Sequence, residues 1–194
     1  MANSSDDKIQ NKVEIRLEFT PNPTTLKFVV NQTLLPTGSA NFTDPNKTAD
    51  APLAEALMKV SGVTAVLIGT NFVTVTKGPT GEWDVVAEEI PKTIESFLTS
   101  GKTPFSPNWK PADTSNEKDT ELEKKIREVL DAEIRPAVAM DGGDILFDRF
   151  EDGVVYLHLQ GACSSCPSST ATLRMGVEVR LKELIPEIRE VVQT

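Results

Sequence analysis

The sequence predicts an α+β fold formed twice, as two small domains that each pack a mixed or antiparallel sheet with helices. Three observations predict it. Some segments alternate apolar and polar residues, others repeat apolar residues every three or four positions, and a proline-rich break separates two sets of such segments. The break is KTPFSPNWKPADTSN, residues 102–116, which is typical of a partly stiff linker. We therefore expect one domain over residues 12–101 and a second over residues 117–194.

The first predicted strand is VEIRLEFT, in which every second residue is apolar. Alternation of this kind is typical of a strand with one buried face. The residues expected on that face are Val13, Ile15, Leu17 and Phe19.

Three more strands are predicted before the linker. The turn TPNPTT leads into LKFVV at 26–30, and two further strands, VTAVLI from Val63 and FVTVTK from Phe72, are joined by the tight turn GTN. Within the linker, Phe105 and Trp109 would either dock onto one domain or pack locally.

Two helices complete the first predicted domain. Asp50 and Pro52 begin a short one that Gly62 closes, and a longer one covers roughly residues 82–99. Pro91 lies inside the longer helix and predicts a kink or a break there. This half contains no phosphate loop, no activated nucleophile and no cluster of candidate metal ligands.

The second predicted domain begins with an amphipathic helix whose apolar residues recur at helical spacing from Leu122 to Ile134, and which Pro136 bends or ends. MDGGD at 140–144 is a turn, because paired glycines allow backbone angles closed to other residues.

The rest of the chain predicts a hairpin, a helix and a strand. ILFDRF and VVYLHLQ flank the turn EDG, which is a hairpin signal. A second helix follows with apolar residues from Leu173 to Leu184, and IREVV forms a third strand at the end.

Composition narrows the possible functions. The chain has 194 residues, of which 39% are hydrophobic and 25% charged, which fits one or two globular domains. The net charge of −9 makes nucleic acid an unlikely partner, with −3 on residues 14–104 (7 basic, 10 acidic) and −6 on residues 117–194 (10 basic, 16 acidic). No stretch approaches the ~18 apolar residues of a membrane span, and the first residues resemble neither a signal nor a transit peptide. We therefore expect a cytoplasmic protein with no membrane partner.

The only two cysteines stand in GACSSCPSST, with Cys163 in the turn after a strand and Cys166 where a helix begins. Pro167 is expected at or near the first helical position, where its missing N–H has no cost. The free N–H groups and the positive end of the helix dipole favour thiolate, the form that binds metal and attacks disulfides. The neighbours are small, so we expect an open site; they are Gly161, Ala162, Ser164 and Ser165.

Three interpretations of the cysteine pair remain. It could be incidental, although CxxC spacing at a strand-to-helix junction argues against that. It could be a redox dithiol, although Ala162 and the two intervening serines differ from the aromatic and proline residues often found in thioredoxin-like motifs. It could be half of a tetrahedral metal site, since zinc or a cubane iron-sulfur cluster takes four thiolates.

A symmetric dimer would complete such a site, because a two-fold axis near the loop brings two CxxC pairs together. The spacing alone leaves the metal open between zinc and iron-sulfur.

Two long segments resemble a known family. Residues 142–188, GGDILFDRFEDGVVYLHLQGACSSCPSSTATLRMGVEVRLKELIPEI, are similar to the C-terminal domain of NifU, shared by the NifU-like (Nfu) iron-sulfur cluster carriers. Residues 12–100, with TPNPTTLKF, LAEALMKVSGV and NFVTVTK, resemble the N-terminal domain of the longer Nfu proteins.

The resemblance implies a non-enzymatic iron-sulfur cluster assembly protein, a scaffold and carrier that binds iron as a 4Fe-4S cluster. Cys163 and Cys166 would be the cluster ligands, shared across a homodimer. The expected partners are upstream cluster scaffolds and apo iron-sulfur client proteins. His158 is expected to be an ordinary strand residue, and the DGGD turn, Asp141 to Asp144, to shape the chain without binding the cluster.

Overall fold

The structure is a computed structural model that describes residues 12–111, 119–164 and 167–194. It contains two sheets, each packed with its own helices, so the predicted α+β class is confirmed. We call residues 12–111 the N-terminal unit and the described residues from 119 onward the C-terminal unit. The exact domain limits stay a prediction.

The N-terminal unit is a five-stranded sheet with strand order β1-β2-β5-β4-β3, and all its neighbouring strands are antiparallel. Two helices and one turn of 3₁₀-helix accompany it. The elements are β1 (Ile15–Phe19), β2 (Thr25–Val30), β3 (Ala40–Phe42), the 3₁₀ turn (Pro45–Lys47), α1 (Pro52–Met58), β4 (Val63–Ile68), β5 (Phe72–Lys77) and α2 (Trp83–Thr99).

Of the two outcomes predicted for Pro91, a break does not occur, since α2 runs continuously over residues 83–99 with Pro91 inside it. A kink at Pro91 stays a prediction. Ile90 and Ile94, on either side of Pro91, are both buried in the core. The predicted buried face of β1 was wrong at its end, where Leu17 is 40% exposed and Phe19 is 86% exposed. β1 is one of the two edge strands, and the core does not extend under its end.

The start of the predicted linker docks onto the N-terminal unit. Phe105 and Trp109 stack with ring centroids 4.0 Å apart and pack against the core of this unit. The backbone N–H of Ser106 donates to the Asp50 carbonyl (2.9 Å), which fixes the segment beside the start of α1. Of the two alternatives, docking onto one domain is therefore correct.

The C-terminal unit is a three-stranded sheet with order β6-β7-β8, in which β6 and β7 are antiparallel and β7 and β8 are parallel. The predicted hairpin, helices and last strand are all present. The elements are α3 (Glu121–Val129), a π-helical turn (Leu130–Ile134), α4 (Arg135–Met140), β6 (Gly143–Glu151), β7 (Val154–Gly161), α5 (Pro167–Leu184) and β8 (Glu190–Gln193).

Pro136 does not end the first helix of this unit. The π-helical turn separates α3 from α4, and Pro136 then lies in the first turn of α4, where proline is tolerated because an N–H is not required. The helical path therefore reaches Met140, directly before the DGGD turn. Among the described helices, none is both long enough and apolar enough to cross a bilayer.

Candidate functional site

Cys163 lies in the turn that follows β7, as predicted. Gly161 ends the strand with a φ of 61°, a left-handed conformation that favours glycine. The turn is then closed by Ser164, whose hydroxyl donates to the Gly161 carbonyl (2.8 Å). The Ala162 N–H donates to the Gly142 carbonyl (3.2 Å), so the cysteine loop is bonded directly to the DGGD turn.

The expectation of an open site was wrong for this cysteine. Cys163 is only 4% exposed and belongs to the apolar core of the C-terminal unit. Its sulfur lies against Gly143, where the Cβ of any other residue would overlap the Cys163 Sγ and come within 2.9 Å of the Gln160 carbonyl oxygen. Small neighbours let the DGGD turn approach closely, and that approach covers the thiol.

The other half of the motif lies outside the described residues, namely Ser165 and Cys166. The structure resumes at Pro167, which is the first residue of α5, as predicted. In the sequence, Cys166 directly precedes the first residue of this 18-residue helix. The expected stabilisation of its thiolate by the helix dipole stays a prediction.

Asp144 is a second charged group beside this loop, and it is 4% exposed. Arg135 binds both of its carboxylate oxygens, from Nε to Oδ1 (2.9 Å) and from Nη2 to Oδ2 (2.7 Å). The Ser39 hydroxyl adds a hydrogen bond to Oδ2 (2.6 Å) and the Ile145 N–H one to Oδ1 (2.8 Å). Asp144 is therefore a fully bonded structural anchor for the turn.

The electrostatics of Arg135 agree with this role. Burial disfavours its charged form, but the hydrogen bonds that it donates to Asp144 and Asp131 outweigh burial and raise the pKa of Arg135 above its ordinary value. The guanidinium stays charged at any pH at which the protein is folded. It neutralises the buried carboxylate of Asp144.

The DGGD turn shapes the chain between α4 and β6, as predicted, and its Gly143 also contacts Cys163, which was not predicted. The adjacent glycines Gly142 and Gly143 were the sequence signal for such a close approach. His158 is exposed on β7, consistent with an ordinary strand residue. Two kinds of residue that bind the cysteine loop or the DGGD turn were not predicted. One is Arg135, which the apolar spacing of its helix does not distinguish from other polar residues; the others belong to the N-terminal unit.

Among the described residues, no three histidine, cysteine, aspartate or glutamate side chains cluster closely enough to hold a metal ion. Cys163 is the one predicted ligand that these residues include. Cys166 is not among the described residues, so the distance between the two sulfurs of the motif is not defined.

Comparison with known proteins agrees with both units. Residues 126–192 match the NifU-like domain, and residues 15–101 match the N-terminal domain of the scaffold protein Nfu/NifU. The chain is 39% identical over 180 residues to the human protein "NFU1 iron-sulfur cluster scaffold homolog, mitochondrial", covering 92% of this chain and 71% of that protein.

Two further relatives give the same result. The Drosophila grimshawi protein of the same name is 45% identical, and "NifU-like protein 4, mitochondrial" of Arabidopsis thaliana is 40% identical. Each match covers 92% of this chain, which spans 61% and 65% of those two proteins. The chain belongs to the Nfu family of NifU-like iron-sulfur cluster scaffold proteins, and its role is in iron-sulfur cluster assembly.

These relatives also correct one expectation. All three are named as mitochondrial proteins, so the expected cytoplasmic location is contradicted and a mitochondrial one is indicated. The prediction relied on the composition of the first residues of this sequence, and that composition does not report where the relatives are located. The family name, a scaffold, suggests a non-enzymatic role.

Proposed function

We propose that this protein carries a 4Fe-4S cluster, held by Cys163 and Cys166 from each of two copies, and transfers it to apo-proteins. One observation carries the proposal. The only two cysteines of the chain stand at CxxC spacing between the end of β7 and the start of α5, inside the region that matches the NifU-like domain.

The ligand count supports a bridging dimer. A cubane cluster takes four thiolates, and one chain offers two. A two-fold axis beside the loop would supply the other pair from a second copy. Retention then depends on protomer concentration, because half of the ligands leave whenever the dimer separates.

The same arrangement explains release. Client cysteines can displace the carrier's thiolates one at a time, so the cluster is never without ligands during transfer. The acceptor must exchange four thiolates in either case, but a dimer with two ligands per chain can separate during the exchange, whereas a single chain that supplies all four ligands cannot. We propose apo iron-sulfur proteins as the acceptors and an upstream scaffold as the donor.

The N-terminal domain, proposed to cover residues 12–101, is a candidate recruiting module. Tethered by residues 102–116 to the cluster domain, residues 117–194, it would raise the effective concentration of clients or of the upstream scaffold. No catalytic step is assigned to it.

Anaerobic reconstitution with ferrous iron and sulfide tests the proposal. We expect a brown protein with about four iron and four sulfide per dimer, and dimer formation that follows cluster uptake in size-exclusion chromatography with light scattering. The variants Cys163→Ser and Cys166→Ser should lose the cluster. The matched control is Asp148→Ser, which introduces the same side chain at an exposed residue of β6 and keeps both thiols.

Other results would contradict the proposal in distinguishable ways. About one zinc per dimer would indicate a structural zinc site. Turnover of a disulfide substrate, with reversible formation of a Cys163 to Cys166 disulfide, would indicate an oxidoreductase. A colourless monomer at every iron and sulfide concentration would exclude a bridged cluster.

A further inference from the structure

The two units meet at the cysteine loop, where three side chains of the N-terminal unit donate hydrogen bonds to the C-terminal unit. All three acceptors lie within residues 140–144 and 161–163, the two segments that enclose Cys163. We call these three bonds the domain clasp. They join Asn22 Nδ2 to the Ala162 carbonyl (2.9 Å), Lys27 Nζ to the Met140 carbonyl (3.1 Å) and Ser39 Oγ to Asp144 Oδ2 (2.6 Å).

Two glycines allow the units to approach this closely. A Cβ at Gly142 would lie 2.9 Å from Thr74 Oγ1, and a Cβ at Gly161 would lie 2.8 Å from Leu67 Cδ2. Both glycines have positive φ, 78° and 61°, so the backbone conformation and the contact both require glycine. The N-terminal unit therefore packs directly against the backbone of both segments that enclose Cys163.

The clasp affects the thiol through these segments. The Ala162 N–H and the Gly142 carbonyl bond the two segments to each other, and Cys163 is enclosed between them with its sulfur against Gly143. At 4% exposure, the thiol cannot reach iron or a modifying reagent in this state. Cluster binding requires the loop to move, and the loop is held by Asn22 from the other unit.

One group opposes the closed state. The Thr74 hydroxyl is buried at 1% exposure beside Gly142, and it has no hydrogen-bond partner among the described residues. A buried hydroxyl without a partner destabilises the state that buries it. Water would reach this group once the units part.

An open cleft also lies between the described residues of the two units. Its volume is about 840 Å³, and it is lined among others by Thr70, Arg135 and Gly143. Interfaces between domains of one chain resemble transient protein interfaces and commonly open. Polar bonds hold this interface closed, while the unpartnered Thr74 hydroxyl weakens it.

We infer that the N-terminal unit is a lid that keeps Cys163 covered. The closed chain buries Cys163 between the DGGD turn and its own loop. Parting of the units breaks the clasp bonds to both segments, which frees the segments to separate and expose the thiol for cluster acquisition. The inference rests on the proposed function only in taking Cys163 as a cluster ligand. The thiol is buried in the metal-free chain, so the test of the lid needs no cluster.

The rate at which Cys163 is alkylated tests the lid. The full chain, metal-free and with Cys166→Ser so that one thiol remains, is treated with iodoacetamide and followed by mass spectrometry. When closing is faster than alkylation, the rate is proportional to the open population. Its dependence on low urea should be weak, because parting exposes much less surface than unfolding.

Two nearly isosteric variants should move this rate in opposite directions. Thr74→Val removes the unpartnered hydroxyl, stabilises the closed state and should slow alkylation roughly fivefold or more. Asn22→Asp keeps the oxygen that accepts from the Thr24 N–H but replaces the donor to Ala162 with an acceptor. It should speed alkylation about tenfold.

Matched controls make the same changes within the N-terminal unit. Thr64→Val alters an exposed strand threonine that bonds to the Thr76 carbonyl, and Asn31→Asp removes an amide donor to the Lys12 carbonyl. Neither should change the rate by more than about twofold. If Asn22→Asp fails to fold, Ser39→Ala removes another clasp bond and should also speed alkylation.

The lid is overturned if Thr74→Val does not slow alkylation, or if the foldable clasp variants do not speed it relative to their controls. Iron and sulfide content, measured separately on the reconstituted wild type, distinguishes the two ideas. Altered rates without a cluster would support the lid and end the proposed function. Unaltered rates with a normal cluster would support the function and end the lid.

Discussion

The two units differ in what they bury. The large buried side chains of the N-terminal core are apolar, and four of its buried polar residues, Asn22, Lys27, Ser39 and Thr74, lie where the C-terminal unit contacts it. The C-terminal unit instead includes the thiol of Cys163 in its core and buries Asp144 beside it. The N-terminal unit thus contacts the site through polar residues outside its apolar core, whereas in the C-terminal unit the site and the core share residues.

Two spectroscopic probes can measure the unfolding of the two units separately. Both tryptophans, Trp83 and Trp109, pack against the N-terminal core, so tryptophan fluorescence reports the unfolding of that unit. Far-UV circular dichroism reports helices of both units. A variant that acts on one unit should therefore separate the two urea transitions.

The largest effect is expected from Phe28→Ala in the N-terminal core. Phe28 is 0% exposed, so the variant leaves a cavity and should lower the free energy of unfolding by roughly 3–5 kcal/mol, measured by tryptophan fluorescence in urea. Phe19→Ala is the control, because Phe19 is 86% exposed and should change this free energy by less than about 0.5 kcal/mol. Equal effects of the two variants would contradict the assigned core.

Asp144→Asn should come next and act on the C-terminal unit. The change removes the buried carboxylate that binds Arg135 at two atoms and leaves only the pair with the exposed Asp131. It should cost about 3 kcal/mol, seen in circular dichroism more than in fluorescence. Asp148→Asn is the control, since Asp148 pairs with Arg149 at the surface and should matter little. A neutral Asp144→Asn variant would show that the pair does not anchor the turn.

Gly143→Ala tests the contact between the turn and the thiol. The new methyl group would overlap Cys163 Sγ, so we expect a loss of roughly 2 kcal/mol in the free energy of unfolding of the C-terminal unit. Gly176→Ala makes the same change on α5 with no heavy atom within 4 Å, and should stabilise the protein by about 0.5–1 kcal/mol. If both variants were stabilising, Gly143 would not contact the sulfur.

The smallest effect is expected from Cys163→Ser, which should lower the free energy of unfolding by about 1–2 kcal/mol because a hydroxyl replaces a sulfur in an apolar core. An open loop, as expected from the sequence, would have made this change nearly neutral. Cys163→Ala, which adds no polar group, should cost less in the same circular dichroism titration. A Cys163→Ser variant as stable as wild type would restore the original expectation.

Much of the fold could be predicted because its signals are local. Helical spacing located α2, α3 and α5, and EDG located the hairpin turn, where Asp152 and Gly153 both have positive φ. The three-residue strand β3 was missed, because Ala40–Phe42 is too short for alternation to be visible. The exposed end of β1 was missed because alternation does not tell how far the core extends.

Some features of the site could likewise be predicted from the sequence, and others could not. The order of strand, turn, cysteine pair and helix is written in consecutive residues, since backbone preferences and the spacing of two thiols act over a few positions. The burial of Cys163 and the domain clasp were decided by tertiary structure. The three clasp bonds join pairs of residues that are separated in the chain by 140, 113 and 105 positions. Hydrogen bonds and close packing at such separations depend on how two complete units fit together, and no local pattern encodes that fit.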